Sequence, residues 1–348
     1  MSRTGSTARA LATLVAKRVI AAAVTVFILA IVVFLFLKAI PGDEAHVAAG
    51  AAATPAQVAA VRHELGLDRP LPDQLWSYLD RLVHGNLGTS VTTHAPVAAG
   101  LAQALPETLE LVVLAAILMV VITFPAAMYA VLRPDQRGDT ATRLGVLLLA
   151  AIPTFWLALE LQQLLTVQVR AFPVSGVLSP GFTVPRRTGA AMLDSLLAGN
   201  IPAFSNAFQH LLLPAFVLMI PFGAALFRAL RAELLAVLQR EHIVVAQASG
   251  ISTVRLMLRH ALPNAMGPAL TVIGIEVGNM VGASVLVEAV FGINGMGSYL
   301  TTAVNNDDVF AVLAGVLVIG VIVVCTSLVV DVLQLVRDPR VRLATIGA

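Results

Sequence analysis

The sequence predicts an all-α integral membrane protein with six transmembrane helices, and two observations support that prediction. Of the 348 residues, 58% are hydrophobic and only 12% are charged, with a mean hydropathy of +0.88. That composition excludes an ordinary soluble domain. In addition, six segments are apolar over the roughly 20 residues that a helix needs to cross about 30 Å of hydrocarbon. Cys325 is the only cysteine, so the chain can form no intrachain disulfide.

The six predicted spans follow from the positions of the apolar segments. They lie near residues 19–37, 111–132, 144–169, 211–227, 265–287 and 309–330. The first has 19 uncharged residues, more than the roughly 7–15 of a signal-peptide core, so we expect an uncleaved helix. The fourth is short, is interrupted by Pro214 and Pro221, and is the weakest of the six.

These spans divide the chain into four parts. Residues 1–40 form a basic tail with the first helix, and residues 41–106 form an external segment. Residues 107–336 hold the other five spans, with a polar loop at residues 228–264. Residues 337–348 form a C-terminal tail.

The two external segments differ in their expected structure. Thr54 followed by Pro55 predicts a helix start, and residues 74–82 predict a second short amphipathic helix before a glycine-rich loop. The later loop, residues 170–208, is rich in proline and glycine and is expected to be mostly irregular.

The distribution of charge predicts how the chain is oriented in the membrane. With the N-terminus inside, fifteen of the 22 Lys and Arg residues fall on the cytoplasmic side. The external residues 41–110 instead collect eight acidic side chains. Because basic loops stay on the cytoplasmic side of a membrane, both termini are expected to be cytoplasmic.

The most informative segment is the polar loop at residues 244–264, which precedes the fifth span. Gly250 is suited to ending one short helix in the left-handed conformation, and Ser252 to capping the next. Apolar residues at helical spacing form one stripe across the loop: Ile251, Val254, Leu258 and Leu262. Arg255 and Arg259 lie four residues apart beside that stripe. The pattern predicts a helix–turn–helix elbow that offers a docking surface to a partner protein.

The sequence lacks the common catalytic motifs. A phosphate-binding loop needs Gly-Lys followed by Ser or Thr, whereas Lys17 follows Ala16 and Lys38 follows Leu37. The segment that begins His63-Glu64 lacks the second histidine of a zinc protease, and no G-x-S-x-G motif is present. The seven histidines are scattered, so no metal site is expected. We therefore expect a chain that is not an enzyme and binds no nucleic acid.

Nine separated motifs, in order, resemble the permease subunits of bacterial ABC importers, specifically the first membrane subunit of the oligopeptide/dipeptide type. The resemblance runs from residue 18 to residue 342. The motifs are PGD (41–43), LGLDRPLP (65–72), GNLGTS (85–90), PV (96–97), IPTF (152–155), PVSG (173–176), the loop with Ala246, Gly250 and RHALPNA (259–265), EAVFGINGMG (288–297) and DPR (338–340).

This resemblance implies a type I ABC importer permease, a multi-pass protein of the cytoplasmic (inner) membrane. The polar loop would be the coupling helix, which transmits nucleotide-driven closure of an ATPase to the membrane helices. By position, that role falls on Ala246, Gly250, His260, Leu262 and Pro263. A basic residue is often found in the family where this chain has Gln247 and Ser249, which leaves the charge pairing with the partner open.

The resemblance also implies a set of partners. These are a second permease subunit, two ATP-binding subunits, an extracytoplasmic solute-binding protein and membrane lipid. ATP and Mg²⁺ would bind to the partner ATPases, so no cofactor is expected in this chain. Contacts of Arg255 and Arg259 with acidic residues of an ATPase are expected in this setting.

Acidic residues within the spans are candidates for a translocation path or gate, because a charge at membrane depth costs roughly 2.5–3.5 kcal/mol on insertion scales. They are Glu160, Glu276, Glu288 and Asp331. Glu276 either lines the path or is hydrogen-bonded at the interface with the second permease, and Gly274, Gly278 and Gly282 beside it predict close helix packing. For Asp331, a structural ion pair is expected.

Glu160 is expected near the outer mouth of the path. The turn that contains Glu288 and Phe291 would face the periplasm, near the gate and the binding protein.

Several alternatives stay open at this point. Nickel, glutathione or another small solute uses permeases of the same pattern. An ATP-independent secondary transporter is a second alternative, although such folds tend to show inverted repeats, and none is visible here. A membrane-embedded hydrolase is the third, and it lacks any assembled nucleophile or metal constellation.

Overall fold

The computed structural model describes residues 3–39, 44–50, 53–64, 66–132, 134 and 136–337. These residues fold into helices, turns and one isolated antiparallel bridge between Thr89 and Pro96. The PGD motif, Leu65, Arg133 and the tail 338–348 lie outside the described residues.

Fourteen helices are present in the described part of the chain. They are α1 (Arg3–Ala39), α2 (Glu44–Ala49), α3 (Pro55–Glu64), α4 (Leu71–Val83), α5 (Val97–Leu132), α6 (Arg137–Ala151), α7 (Thr154–Gln162), α8 (Ala191–Leu197), α9 (Ile201–Leu238), α10 (Glu241–Ala248), α11 (Thr253–Leu256), α12 (Leu262–Phe291), α13 (Met296–Asn305) and α14 (Val309–Arg337). Two π-helical segments, Gln163–Gln168 and Met257–Ala261, extend α7 and connect α11 to α12.

Five helices are long and apolar enough to cross a membrane, namely α1, α5, α9, α12 and α14. The predicted third span is not one straight helix: α6 and the α7 segment meet at a bend of 96°. The break falls at Ile152-Pro153, where proline removes a backbone donor and disfavours helix in the residue before it. The described helices therefore supply five spans, or six if the bent pair counts as one.

The fourth predicted span belongs to a helix, α9, that is longer and more deeply buried than its sequence suggests. The short span predicted at residues 211–227 is part of α9, which has 38 residues and contains both Pro214 and Pro221. In the most apolar stretch of α9, 72% of residues are buried, against 17% for α1 and 22% for α14. Helices α5 and α12 pack against α9, and such packing allows proline inside a membrane helix.

Of the three glycines beside Glu276, Gly274 is the one on which close packing of α12 on α14 depends. A Cβ atom at Gly274 would overlap the Val330 side chain, and one at Gly278 would lie 3.5 Å from the Val323 side chain. The distance at Gly278 is an ordinary van der Waals contact and Gly282 has open space, so the prediction of close packing is confirmed for Gly274 only. Arg18 and Asp331 form the ion pair expected for Asp331, with 3.0 Å between their charged atoms, and join α1 to α14.

The external segment 41–106 contains the predicted helices. Thr54 begins α3 with a reciprocal cap: its backbone N–H donates to Gln57 Oε1 at 2.8 Å, and its hydroxyl oxygen accepts from the Gln57 N–H at 3.4 Å. Helix α4 packs on the C-terminal half of α1, where the rings of Tyr78 and Phe34 lie 5.5 Å apart. Burial raises the pKa of Tyr78 to about 12.

Two helices are present that the sequence did not predict. One lies in a region expected to be irregular, and the other in a region expected to be a short turn. Helix α8 lies inside the loop at residues 170–208, and the turn after α12 leads into α13 rather than directly into the last span. Both are short, 7 and 10 residues, and their sequences contain no strong capping signal.

Candidate functional site

The elbow before α12 has the geometry that its sequence predicts. Helix α10 ends at Ala248, and Gly250 adopts φ +82°, in the left-handed region that glycine tolerates best. The Gly250 N–H donates to the Gln247 carbonyl at 3.0 Å, and the Ile251 N–H donates to the Ala246 carbonyl at 3.4 Å. Ser252 occupies the cap position of α11, but its side chain makes no capping hydrogen bond.

The predicted apolar stripe is exposed in its middle and anchored at its ends. Val254 and Leu258 are 63% and 50% exposed. Ile251, Leu262 and also Ala246 are half-buried and pack against the main core. Leu256 and Met257, at the junction between α11 and the π-helical segment, are both buried. The elbow therefore packs on the core at its ends and exposes an apolar ridge formed by Val254 and Leu258.

The charged and polar residues of the elbow surround that ridge. Arg255, Arg259 and Pro263 are exposed, and His260 is half-buried. The His260 carbonyl accepts a 2.7 Å hydrogen bond from the side chain of Asn264, which ties the end of the elbow to α12. Such a surface, apolar with two cations beside it, suits a groove with acidic residues at its rim.

At the far end of α12, Glu288 is fully buried and hydrogen-bonded. Its carboxylate accepts from the Thr108 hydroxyl of α5 at 2.7 Å, from the Ser284 hydroxyl at 2.9 Å and from the Gly297 N–H of α13 at 2.7 Å. Phe291 is 2% exposed and belongs to the main core. Neither side chain lines an open path in this chain, because both are occupied with joining helices.

The remaining acidic candidates are accessible. Glu160 lies on the exposed face of α7. Glu276 is half-buried, and its only hydrogen bond with a described residue comes from the Asn279 amide at 3.3 Å. Glu276 therefore keeps free acceptor capacity toward a path or a second subunit, and both interpretations of this residue stay open.

Two further carboxyl groups, which no local sequence pattern singles out, organise the loop at residues 170–208. Glu110 of α5 accepts from the N–H groups of Met192 and Leu193 at 3.1 and 2.8 Å. Asp194 accepts three backbone N–H groups of the preceding turn, from Arg187 (3.0 Å), Thr188 (2.7 Å) and Gly189 (3.0 Å). Burial raises the pKa of Asp194, but the hydrogen bonds outweigh it and place the pKa below its ordinary value.

A polar cavity of about 420 Å³ opens on the same side as this cluster. It lies between α5, α13 and the loop before α5, and is lined by Glu107, Arg186, Asn294, Tyr299 and Asp308. Burial and the nearby Asp308 carboxylate raise the pKa of Tyr299. The cavity brings together residues that are far apart in the sequence, so no local motif predicts it.

Among the described residues, no group of three or more His, Cys, Asp or Glu side chains is placed to hold a metal ion. The functional residues described above form exposed surfaces and hydrogen-bonded joints between helices.

Comparison with known proteins identifies the family. Residues 122–343 match the binding-protein-dependent transport system inner membrane component, and residues 11–112 match the N-terminal model of the same membrane components. The chain is similar to a probable D,D-dipeptide transport system permease of Escherichia coli (36% identity, covering 89% of this chain and 92% of the relative). It is also similar to a di/tripeptide transport system permease of Pseudomonas aeruginosa (35% identity, 91% and 95%).

A dipeptide transport system permease of E. coli is 34% identical over 89% of this chain and 92% of its own length. The similarity thus includes the spans, the elbow and the external segments together. The chain belongs to the family of inner membrane components of binding-protein-dependent transport systems, as a multi-pass membrane permease.

Proposed function

We propose that this chain is one of the two permease subunits of an ATP-driven importer for dipeptides and short oligopeptides. The observation that carries the proposal is the similarity, over nearly the whole chain, to permeases named for dipeptide and tripeptide transport. A secondary transporter would work without a binding protein, whereas the family is defined by dependence on one.

The proposed mechanism places the elbow in the cytosol and both termini on the same side. Two ATPase subunits bind ATP and Mg²⁺, close on each other and move the elbows of the permease pair. The membrane helices then open outward and accept a peptide from the extracytoplasmic binding protein, and ATP hydrolysis resets them. Val254 and Leu258 enter the ATPase groove, and Arg255 and Arg259 meet acidic residues at its rim. The exposure of all four side chains supports this role.

The elbow provides a sharp test because it depends on one left-handed glycine. Gly250→Arg places a large charged side chain on the proposed docking surface, where the structure leaves open space. Gly199 is a matched control, since it also has positive φ (+67°) and open space but lies between α8 and α9. Both variants place an arginine at a position of positive φ with open space around it, so a difference between them reports on docking.

The measurement is ATP-dependent uptake of a labelled dipeptide, and peptide-stimulated ATPase activity, in proteoliposomes with the complete complex. We expect Gly250→Arg to abolish both activities and Gly199→Arg to keep them. Full coupling in Gly250→Arg would contradict the docking role. Uptake of nickel or glutathione in place of dipeptide by the unmodified complex would contradict the proposed cargo but not the coupling role.

A further inference from the structure

Helix α4 presents an apolar side to its surroundings. Trp76 is 74% exposed and Val83 is 86% exposed, although both side chains are apolar and large. They are separated by about two helical turns, so they share one side of the helix with the exposed Pro72. Tyr78 and Leu82 point the other way and pack against α1 and α14. This packing fixes the rotation of α4 about its own axis.

The contacts of α4 place it close to a bilayer surface. It packs beside Val33 of α1 and Leu317 of α14, which lie inside the apolar stretches of two spans. The ring of Tyr78 lies 5.5 Å from the ring of Phe34. Lys38 is the first charged residue after the apolar stretch of α1, and it follows Phe34 by about 6 Å along the helix. Because charged side chains mark the end of the hydrocarbon, α4 lies near the boundary between acyl chains and headgroups.

The surface of the protein at that level is apolar. Leu35 and Phe36 of α1 follow Phe34 directly and are 57% and 62% exposed. Only 17% of the residues in the most apolar stretch of α1 are buried, and 22% of those in α14. A helix that packs on the side of these two spans therefore borders the surface that they present to lipid.

The other edge of the exposed face of α4 is acidic. At about 3.6 residues per turn, Asp73 and Asp80 lie on one flank of Trp76, and Pro72 and Val83 lie on the other. Both carboxyl groups are exposed. An apolar edge beside a charged edge is typical of a helix that lies in the membrane interface. Tryptophan is enriched at that depth, because its ring is apolar and its indole N–H is polar.

We propose that α4 lies along the bilayer surface at which α1 ends, with Trp76 and Val83 among the acyl chains just below the headgroups and with Asp73 and Asp80 in water. The partner is the lipid surface, and the contact is apolar, so no particular headgroup charge is needed. Helix α4 thereby ties the segment between α1 and α5 to the membrane. The inference rests on α1 and α14 crossing the membrane, and it is independent of the cargo and of the coupling role.

The test is depth-dependent quenching of tryptophan emission, with the complete complex in nanodiscs of phosphatidylcholine that carries bromine at different depths on its acyl chains. The emission of Trp76 is the difference between the unmodified complex and Trp76→Phe, since Trp156 and the tryptophans of the other subunits are common to both. We expect bromine near the glycerol end to quench that difference most, and bromine near the terminal methyl to quench it least. Aqueous iodide should leave it nearly unchanged, and so should partial replacement of phosphatidylcholine by phosphatidylglycerol.

Asp73→Trp in the Trp76→Phe background is the matched control, because it moves the indole by less than one turn to the acidic edge of the same helix. After subtraction of the Trp76→Phe complex, its emission should be quenched by iodide and much less by bromine. Trp76→Tyr keeps a ring suited to the interface and provides a second subtraction where the phenylalanine variant assembles poorly.

Three results would overturn the inference. Quenching of Trp76 by iodide but not by bromine would place α4 in water. Protection of Trp76 from both quenchers would show that another protein covers the helix. Equal quenching by bromine at positions 73 and 76 would contradict the orientation of α4 at the interface.

Discussion

At the scale of single residues, buried carboxylates in this chain act as joints between helices. Glu288 takes hydrogen bonds from three separate positions, and the donors on α5 and α13 come from elsewhere in the sequence. A buried carboxyl group is costly unless its oxygens are hydrogen-bonded, and each such hydrogen bond contributes about 0.5–1.5 kcal/mol net. Glu110 and Asp194 likewise accept hydrogen bonds from backbone N–H groups of the loop at residues 170–208. These acids hold together the end of the bundle where α12 finishes.

Glu288→Ala should therefore destabilise the protein. The substitution leaves the Thr108 hydroxyl and the Gly297 N–H without their acceptor, and the expected loss is about 2–4 kcal/mol. Glu160→Ala is the control, because that side chain is exposed and should leave stability nearly unchanged. Thermal unfolding of the purified complex in detergent measures both. Equal unfolding midpoints for the two variants would show that Glu288 does not hold the helices together.

The pKa of Asp194 predicts how the external loop responds to acid. Because the pKa of the folded state lies below the ordinary value of about 3.9, the carboxylate stabilises the loop at neutral pH. That stabilisation is fully present above about pH 4 and is lost as pH falls through the folded-state pKa.

Hydrogen exchange of the Thr188 and Gly189 amides tests this, since both donate to Asp194. We expect Asp194→Asn to reduce their protection at pH 7, and the difference from the unmodified protein to shrink below pH 4. Protection that is equal in both proteins at pH 7 would contradict the role of the carboxylate.

At the scale of elements, glycines set how closely helices approach. At Gly297, a Cβ atom would overlap the α12 backbone at Val285 and lie 2.8 Å from the Val285 carbonyl oxygen. The start of α13 therefore rests directly on α12, beside the Glu288 joint. Gly282 in α12 faces open space, although its sequence context resembles that of the tightly packed Gly274.

Gly297→Ala and Gly282→Ala should consequently change the free energy of unfolding in opposite directions. The first needs a shift of backbone against backbone, and we expect a loss of about 2 kcal/mol or more together with reduced yield. The second removes a flexible residue from a helix and should be neutral or stabilise by up to about 1 kcal/mol. Unfolding midpoints of the two variants provide the comparison. A stable Gly297→Ala protein would show that α13 can move away from α12.

At the scale of the whole molecule, α9 is the centre and α1 and α14 are the outer layer. Leucines of α9 such as Leu226 and Leu230 are fully buried, whereas Leu148 of α6 is 67% exposed. Packing inside a membrane relies on van der Waals contact rather than on exclusion of water. A cavity is therefore costly in α9, and truncation at the lipid-facing surface is not.

Leu226→Ala should lower stability by about 2–5 kcal/mol, and Leu148→Ala by much less. Thermal unfolding of the permease pair in nanodiscs measures the difference directly. If Leu148→Ala is as harmful as Leu226→Ala, the α6 face packs against a protein rather than lipid.

Much of this architecture follows from local sequence. The apolar segments gave five long helices at the predicted places, Thr54 and Gln57 gave the cap of α3, and Gly250 gave the left-handed turn of the elbow. Each of these depends on residues within a few positions of one another, so a pattern of hydropathy or turn chemistry is enough to predict it.

The rest depended on contacts between distant parts of the chain. The length of α9 across two prolines, the bend between α6 and α7, and the burial of Glu288 all depend on neighbouring helices. Asp139 meets Arg231 from 92 residues away, and Thr108 meets Glu288 from 180. The sequence by itself determined which segments enter the membrane, because transfer free energy is summed locally. Only the tertiary structure decided which polar groups pair there, because a buried charge is stabilised only by partners that folding brings within hydrogen-bond distance.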